Sequence, residues 1–580
     1  MFMVCIKLLG KVSFDYPTAS VRGYSCDVPR DWLGIPYIAP SEILGDRKWP
    51  FPGVKMRRAH PNGYFGLMRA AHDLQRVNKD SIAHIESFFT EDRFDKKSMK
   101  RTCSLKAGQT FFASIEFDKD KYEAVENFLR EIKHIGVKRE GITGEVECSL
   151  EMIPQNNETT NFSKLSTYCA LDYSLQLISP VCFHAPYDSE QATYVYAPGT
   201  VIRKDLCEKI LPTAEKLAIT NAYIMEENER LFPMPLCMSV IKLDQEQLRY
   251  RLADGKDPRL SEQMVNVKNA YTTDFEEKLV RYVCPEVVRI ISNTGKNYDA
   301  LAEGQTLFGT IYGPDEELRK LAAHIDKNRF FSIGNLTEEG YGEVYLQVIR
   351  LREEKPQAEI LARCFDVACL SDTLIINDDG MPSYSAENLL AEIERLLNAP
   401  GKLIVEEKYT DIQKDFNFND EWEQAEPVMR CLKAGSVMRF HTKNNEPVYI
   451  APILHSFVGE RTADGYGEIA AYPARKGYYR LAKNLESAKF ATRIQLSTRD
   501  INFGVELSHH VLLNLIKNRV KLLALIDKQD YQTGISAEEL LPTPILDYLR
   551  NEYYPSLPIE IMAKWYRESL EEKEDVGDFA

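Results

Sequence analysis

The sequence predicts an α+β protein made of tandem ferredoxin-like modules with glycine-rich loops, followed by a mostly helical C-terminal region. Two observations carry this. A motif recurs three times: a glycine-anchored apolar strand and, further on, a glycine loop closing in Gly-Glu and an aliphatic residue. Between the two halves of the motif, helical periodicity separates strands that must pair with one another, the arrangement of a split β-α-β unit. The first copy runs from Leu105 through Gly108 to Ile115, then Gly136, Gly141 and Gly144-Glu145-Val146. The second runs from Leu301 through Gly304 to Ile311, then Gly334, Gly340 and Gly342-Glu343-Val344. The third runs from Leu432 through Gly435 to Phe440, then Gly459, Gly465 and Gly467-Glu468-Ile469. First and last loop glycines are 8 residues apart each time. Three copies in register point to a duplicated module.

Module one spans residues 1–160. Val4, Ile6, Leu8, Val12 and Phe14 alternate with polar residues and predict a strand over Val4 to Phe14. Tyr37-Ile38-Ala39-Pro40-Ser41 opens a helix, and a second helix lies between Tyr64 and Phe89. The motif strand covers Gln109 to Phe117. Tyr122, Val125, Phe128, Leu129 and Ile132 then recur at three- and four-residue steps, an amphipathic helix. Its glycine loop feeds a strand over Glu145 to Met152. Module two spans 161–352 and repeats the order. Leu171, Tyr173, Leu175 and Leu177 alternate as its first strand, and Tyr196-Ala197-Pro198-Gly199-Thr200 opens a helix. An insertion marked by Pro233-Met234-Pro235 follows. Pro314 suits the first turn of a helix, whose apolar face is Leu318, Leu321, Ala322 and Ile325, and a strand over Glu343 to Ile349 closes the unit. Module three, 353–475, is degenerate. Phe365, Val367 and Cys369 begin a strand, Ala386 to Leu397 is helical, and Pro447 and Pro452 argue against a regular helix before the glycine loop. Residues 476–580 form the helical region, marked by Val511, Leu512, Leu515, Ile516, Val520 and Leu523, with an acidic tail.

The chain has 580 residues, 44% hydrophobic and 27% charged, the composition of a soluble globular protein with several cores. No apolar run reaches the length of a membrane span, and Met1 to Asp15 reads as a strand, not a secretory signal. The twelve cysteines are scattered without a Cys-x-x-Cys pair, which points to reduced thiols in a cytoplasmic protein. No Cys/His spacing suits zinc, and no metal or cofactor is expected. The net charge of −15 is unlike that of a free-standing nucleic-acid binder, but it is compatible with one basic groove on an otherwise acidic surface. Basic residues do gather at Lys55, Arg57 and Arg58; at Lys96, Lys97, Lys100 and Arg101; at Lys133, Lys138 and Arg139; and between Arg475 and Arg493. Each cluster also reads as plain solvated surface.

Glycines between a helix and a strand can adopt φ > 0 and leave amides unobstructed, so successive N–H groups can form an anion nest. The competing reading is a tight turn that needs the glycines for its backbone alone. The flanking charge is uneven. Loop one carries Lys138 and Arg139, loop three carries Arg461 beside Glu460 and Asp464, and loop two carries Glu338 and Glu339 with no basic residue.

The ferredoxin-like (RRM-like) unit, the Tyr-x-Pro-Gly-Thr-x-Ile-Arg stretch from Tyr196 to Arg203 and the glycine loops resemble the RAMP superfamily of CRISPR-associated proteins. Three segments, Phe232 to Leu236, Leu301 to Gly313 leading into Ile333-Gly334, and Leu370 to Leu374, are similar to the Csx-type RAMP subunits of type III-D effector complexes. The resemblance covers residues 1 to 475. It implies a non-catalytic subunit that holds CRISPR RNA near its 5′ handle and docks on the large polymerase-cyclase subunit and other RAMP subunits, with no membrane association. Carried onto this chain, the implied RNA contacts are Gly136, Lys138, Arg139, Gly141 and Gly144; Arg203 and Lys204; Gly334, Gly340 and Gly342; and Gly459, Arg461, Gly465 and Gly467. Two features depart from the family pattern. Loop two lacks the expected arginines, and Ala39-Pro40-Ser41 stands where Pro-Gly-Ser is usual.

Three alternatives remain. A RAMP-type endoribonuclease, for CRISPR RNA processing or target cleavage, would place a base and an acid near the phosphate seat, and His184 with Asp188, or Asp27 and Asp31, are the residues on offer. A nucleotide-binding enzyme fits less well, because no Gly-Lys-Ser/Thr follows any loop and the loops lead into strands. A scaffold without RNA contact is the third. The segment from Arg475 to Arg493 mixes Tyr478, Tyr479, Leu481, Leu485, Ala488 and Phe490 with basic residues, which predicts a helix packing on a partner, on RNA or on module three.

Overall fold

The computed structural model describes residues 2–14, 28–45, 47–50, 52–77, 81–95, 100–138, 141–152, 168–183, 193–226, 229–241, 244–250, 264–265, 270–272, 279–280, 282–292, 295–353, 360–377, 380–415, 418–419, 424–425, 429–474, 478–481 and 496–528. It divides into two compact units, Met1–Ile153 with Thr492–Ala580, and Pro154–Ala491.

Three antiparallel sheets share one strand order. In the first, Phe2–Leu8 lies between Thr110–Glu116 and Val146–Met152, with Lys55–Met56 outside Thr110–Glu116. In the second, Tyr168–Leu177 lies between Thr306–Pro314 and Glu343–Glu353, with Tyr223–Glu226 outside Thr306–Pro314. In the third, Cys364–Cys369 lies between Val437–Thr442 and Glu468–Pro473, with Leu403–Tyr409 outside Val437–Thr442. Numbered along the chain, each order is fourth, first, third, second. The central strand is always the first, so it must wait for both of its neighbours to be made.

Alternation along the central strands decides what they bury. Val4, Ile6 and Leu8 are wholly inaccessible in the first, as are Leu171, Tyr173 and Leu177 in the second, and each such side chain contributes about 1.5–3 kcal/mol on burial. Val125 and Leu129 of the helix Tyr122–Arg130 close the first core. Leu318, Leu321, Ala322 and Ile325 of Asp315–Lys327 close the second, with Pro314 as N-cap. In the third, Ala386–Leu396 supplies Leu389 and Ile393. Ser385 caps that helix by accepting from the Asn388 amide at 3.2 Å. Its second helix is reduced to one 3-10 turn, Ala451–Ile453, because the prolines there withhold amide donors. The polar side of the central strand is also matched between units. Buried Asp172 accepts from Thr310, Arg350 and Arg352, and buried Asp366 accepts from both ends of the Arg439 guanidinium.

Several elements differ from the sequence reading. The first strand ends at Leu8, short of Phe14, since the Leu9 and Gly10 amides both donate to the Glu145 carbonyl and bend the chain. The helix expected between Tyr64 and Phe89 is two, Tyr64–Val77 and Ser81–Phe89, with the Ser81 hydroxyl donating to the Leu74 carbonyl at 3.0 Å. The C-terminal region is not helical throughout. Tyr478–Leu481 is a strand, antiparallel to Asp244–Tyr250 and parallel to Leu279–Val280 of the insertion. The expected helix over Arg475 to Arg493 is therefore corrected at Tyr478, Tyr479 and Leu481, while Leu485, Ala488 and Phe490 lie outside the described residues. Thr498–Lys528 is a helix, and it does not stand apart from module one. It packs on Tyr64–Val77 and Ser81–Phe89, burying Leu507, Val511, Leu512, Leu515 and Ile516. Gly66 and Gly504 let the two backbones touch, since a Cβ on Gly504 would lie 2.7 Å from the Gly66 carbonyl oxygen.

Candidate nucleic-acid interface: the glycine loops

Each glycine loop is built on the same hydrogen-bond frame. The amide one residue after the first glycine, that of Val137, Asn335 or Glu460, donates to the carbonyl of Ser13, Cys182 or Leu374 at 2.8, 2.9 and 2.9 Å. The amide of the last glycine, Gly144, Gly342 or Gly467, donates to Lys11, Pro180 or Asp372 at 2.9, 3.0 and 2.9 Å. Its carbonyl accepts from Ile135, Ile333 or Val458 at 2.9, 3.0 and 2.9 Å. First and last glycines sit at φ 66 to 80°, and a Cβ on any of the six would collide with a backbone carbonyl oxygen. The turn itself thus requires these six glycines, and the amides named here serve the fold. The open nest expected over the whole loop is narrowed to the segment between them.

The amide of the first glycine is not one of the frame's donors. In loop two the Gly334 amide donates to the Asp205 carboxylate at 3.0 Å. Asp205 belongs to Arg203–Cys207, a π-helical stretch continuing the short helix Gly199–Ile202. Arg203, in the same stretch, reaches loop three. Its guanidinium donates to the Asp464 carboxylate at 2.6 and 2.7 Å and also pairs with Glu208. Arg461 takes the other Asp464 oxygen at 3.0 Å and lies over the Tyr466 ring. Arg203 and Arg461, both expected to contact RNA, are therefore engaged by carboxylates within the chain. Lys204 is half-buried in the same π-helical stretch.

The loops differ in what covers them. Loop two lies against the hairpin Val287–Ile291 and Asn297–Leu301, with Leu336 and Tyr341 packed on Ile290 and Ala300, and the Tyr341 hydroxyl donating to the Ile291 carbonyl at 3.2 Å. Loop three docks on the second sheet unit, where Gly465 abuts Gly199 and the Thr200 hydroxyl donates to the Asp464 carbonyl at 3.3 Å. Loop one is open, with Gly136, Lys138, Gly141, Thr143 and Glu145 exposed. No ion pair among the described residues engages Lys138. Charge follows the same division. Residues 1–153 hold 24 Lys and Arg against 21 Asp and Glu, and the rest of the chain holds 48 against 66, so the basic balance lies with loop one.

Other singled-out residues fall in place or outside. Arg139, Asp27, His184 and Asp188 lie outside the described residues, as do Lys96, Lys97, Arg475 and Lys476. Asp31 is buried, and its carboxylate accepts from the Leu33 and Ile35 amides and the Tyr64 hydroxyl at 3.0, 2.9 and 3.0 Å. It organises a turn. Arg57 is likewise buried and tied to Glu116 at 2.6 Å. Among the described residues no His, Cys, Asp and Glu cluster suits a metal ion, and no helix is long and apolar enough to cross a membrane.

One polar centre escaped the sequence reading. Glu468, the glutamate that closes loop three, is 0% exposed and accepts from both terminal nitrogens of Arg230 at 2.6 and 2.8 Å and from His455 Nε2 at 2.8 Å. Burial pushes its carboxyl up, but the Arg230 and His455 side chains outweigh burial and hold it down to about 2. The Gly-Glu signature located the glutamate; its partner, 238 residues away, left no local signal.

No family model matches the chain, and no curated protein matches it. Among solved structures, a chain of the type III-B Cmr-beta complex bound to cognate target RNA and AMPPnP is similar at TM-score 0.26 and 12% identity, over 46% of this chain and 86% of that one. A Cas6-related protein of Pyrococcus furiosus gives 0.25 and 11%, over 53% and 99%. A RAMP protein described as binding different RNA substrates gives 0.26 and 13%, over 52% and 99%.

Proposed function

We propose that this chain is a non-catalytic RNA-binding subunit of RAMP type in a type III CRISPR effector complex, built of tandem ferredoxin-like modules. Its RNA contact lies on loop one, where Lys138 and Arg139 flank Gly136, Gly141 and Gly144. It holds CRISPR RNA there and docks on the large polymerase-cyclase subunit and other RAMP subunits. One observation carries the reading. Of three loops with one frame, loop one alone among the described residues is both uncovered and set in the basic part of the chain. Loop three engages its arginine with Asp464 inside the chain, and loop two, which carries no basic residue, is covered by the hairpin of Val287–Ile291 and Asn297–Leu301. An exposed lysine beside φ-positive glycines suits phosphate contacts, which position RNA without reading its sequence.

Extraction of nucleic acid from the expressed, purified protein tests this. RNA should co-purify with the native chain and be lost when Lys138 and Arg139 are both replaced by Ala, with unchanged thermal unfolding. Absence of RNA from the native protein at low salt, and no binding of added CRISPR RNA, would leave a scaffold. The reading also expects CRISPR repeat or target RNA to stay intact on incubation with the protein and Mg²⁺ or Mn²⁺. Cleavage lost in His184→Ala or Asp188→Ala would replace it with the endoribonuclease.

A further inference from the structure

We infer that the open edge of Val146–Met152 docks an extended segment of another protein, one with basic residues at alternate positions and apolar residues between them. Such docking does not depend on the RNA contact proposed above. Val146–Met152 is the outer strand of the first sheet and pairs with Phe2–Leu8. The Leu8 amide donates to the Gln109 carbonyl, and the Leu8 carbonyl accepts from the Gly108 amide. Phe2, Val4, Ile6 and Leu8 therefore turn their backbone groups toward Thr110–Glu116, and Met3, Cys5 and Lys7 serve Glu151, Ser149 and Glu147. This leaves the backbone groups of Val146, Cys148, Leu150 and Met152 pointing away from the sheet. The Val146 amide is taken by the Lys133 carbonyl at 2.9 Å. The amides and carbonyls of Cys148 and Leu150 have no hydrogen-bond partner among the described residues.

The three sheets treat this edge differently. Counted from the Gly-Glu motif, the counterpart of Leu150 is Val348 in the second sheet and Pro473 in the third. The register of Glu343–Glu353 slips between Val348 and Arg350, a bulge that bends the strand. Pro473 has no amide to offer an incoming strand. Bulges and prolines both close an edge to further pairing. Val146–Met152 has neither, and it keeps one register along its whole length.

Its side chains define what fits. Cys148 and Leu150 face the core, and Met152 on the same face is 72% exposed. Met152 lies opposite Phe2, which stacks on Phe117 at 4.7 Å, so an apolar residue of an added antiparallel strand would cover it. On the other face Glu147 and Glu151 are exposed. Side chains directly opposite one another in adjacent strands interact, and unlike charges favour the pairing, so the added strand is basic on that face. A second copy fits poorly, because the register that pairs the whole strand with itself sets Glu147 against Glu151.

The experiment is residue-resolved hydrogen exchange of the full chain with a capped peptide of alternating lysine and valine, as long as the strand, at millimolar concentration. In the chain alone the Cys148 and Leu150 amides should exchange faster than those of Glu147, Ser149 and Glu151. The peptide should slow Cys148 and Leu150 by about 10-fold or more. The same peptide with N-methylated valines, the residues whose amides would face the edge, should leave them unchanged. Glu147→Lys combined with Glu151→Lys should transfer the protection to a glutamate–valine peptide. Equal protection by the plain and N-methylated peptides would reduce the effect to charge attraction and overturn the docking edge, as would no protection by either. Slowing of the same amides with rising protein concentration and no peptide would give the edge to a second copy and overturn it too. If the double variant unfolds in a thermal melt, the N-methylated peptide decides alone. Protection lost on methylation supports the docking edge, and protection kept rejects it.

Discussion

Glu468 shows how one buried side chain can be held charged. A lone carboxylate with 0% exposure would take a proton, since burial disfavours charge, yet Arg230 and His455 reverse that and hold the carboxyl at about 2. The folded value lies below the unfolded one, so the unfolded state binds more protons in acid. The stability this provides is fully present above the unfolded carboxyl value, about 4.3, and is lost as pH falls through about 2. A shift of this size is worth about 3 kcal/mol. Urea midpoints measured between pH 6 and pH 2 should fall more steeply for native protein than for Glu468→Gln, and Glu468→Gln should be destabilised by about 3–5 kcal/mol at neutral pH, because Arg230 is left buried without its partner. Parallel pH curves for the two proteins would show that the pair contributes nothing. At this scale the sequence was half legible. The Gly-Glu ending marked Glu468 as part of a motif, and nothing near it in the chain announced Arg230.

Among elements, the glycine loops test whether a repeated residue is kept for backbone or for ligand. Gly467 sits at φ 75° beneath the Val458 carbonyl, and an added Cβ would collide with that oxygen. Gly108 has φ 88° but open space around its Cβ position. Gly467→Ala should therefore cost about 3 kcal/mol or more, with Gly108→Ala nearer 1 kcal/mol. Equal losses in denaturant midpoints would contradict the frame drawn from the hydrogen bonds. Most elements were legible where periodicity was strong: Tyr122–Arg130, Asp315–Lys327 and Ala386–Leu396 lie close to their expected positions. The misses have physical causes. The first strand ends early because the Leu9 and Gly10 amides both turn onto the Glu145 carbonyl, and Gly10 is needed there since a Cβ would meet Thr143. Tyr478–Leu481 is a strand because its partners, Asp244–Tyr250 and Leu279–Val280, lie far away in an insertion, where local propensity cannot see them. Arg203 and Arg461 were recognised as anion-binding residue types, but their capture by Asp464 depends on one sheet unit meeting another.

For the whole molecule, the net charge of −15 conceals a division. The first 153 residues are slightly basic and carry the uncovered loop, while the remainder is acidic and ties its own loops down. An acidic chain with one basic patch should hold RNA weakly alone and more tightly when a neighbouring subunit adds contacts to the same strand, as linked sites raise effective concentration. The C-terminal helix bears on how that patch is presented. Thr498–Lys528 buries an apolar face on Tyr64–Val77 and Ser81–Phe89, so truncation after Ala474 should unfold the unit of residues 1–153 and lower RNA binding with it. A truncated chain that stays folded and loses only its partner subunits would make the segment a docking element instead. The central claim, that loop one seats RNA phosphates, is tested most directly by titrating single-stranded RNA against salt with native protein and with Lys138 and Arg139 both replaced by Ala. The double variant should bind more weakly by a similar factor for every RNA sequence, and its salt slope should fall by about one to two units. Unchanged affinity and an unchanged slope would contradict it.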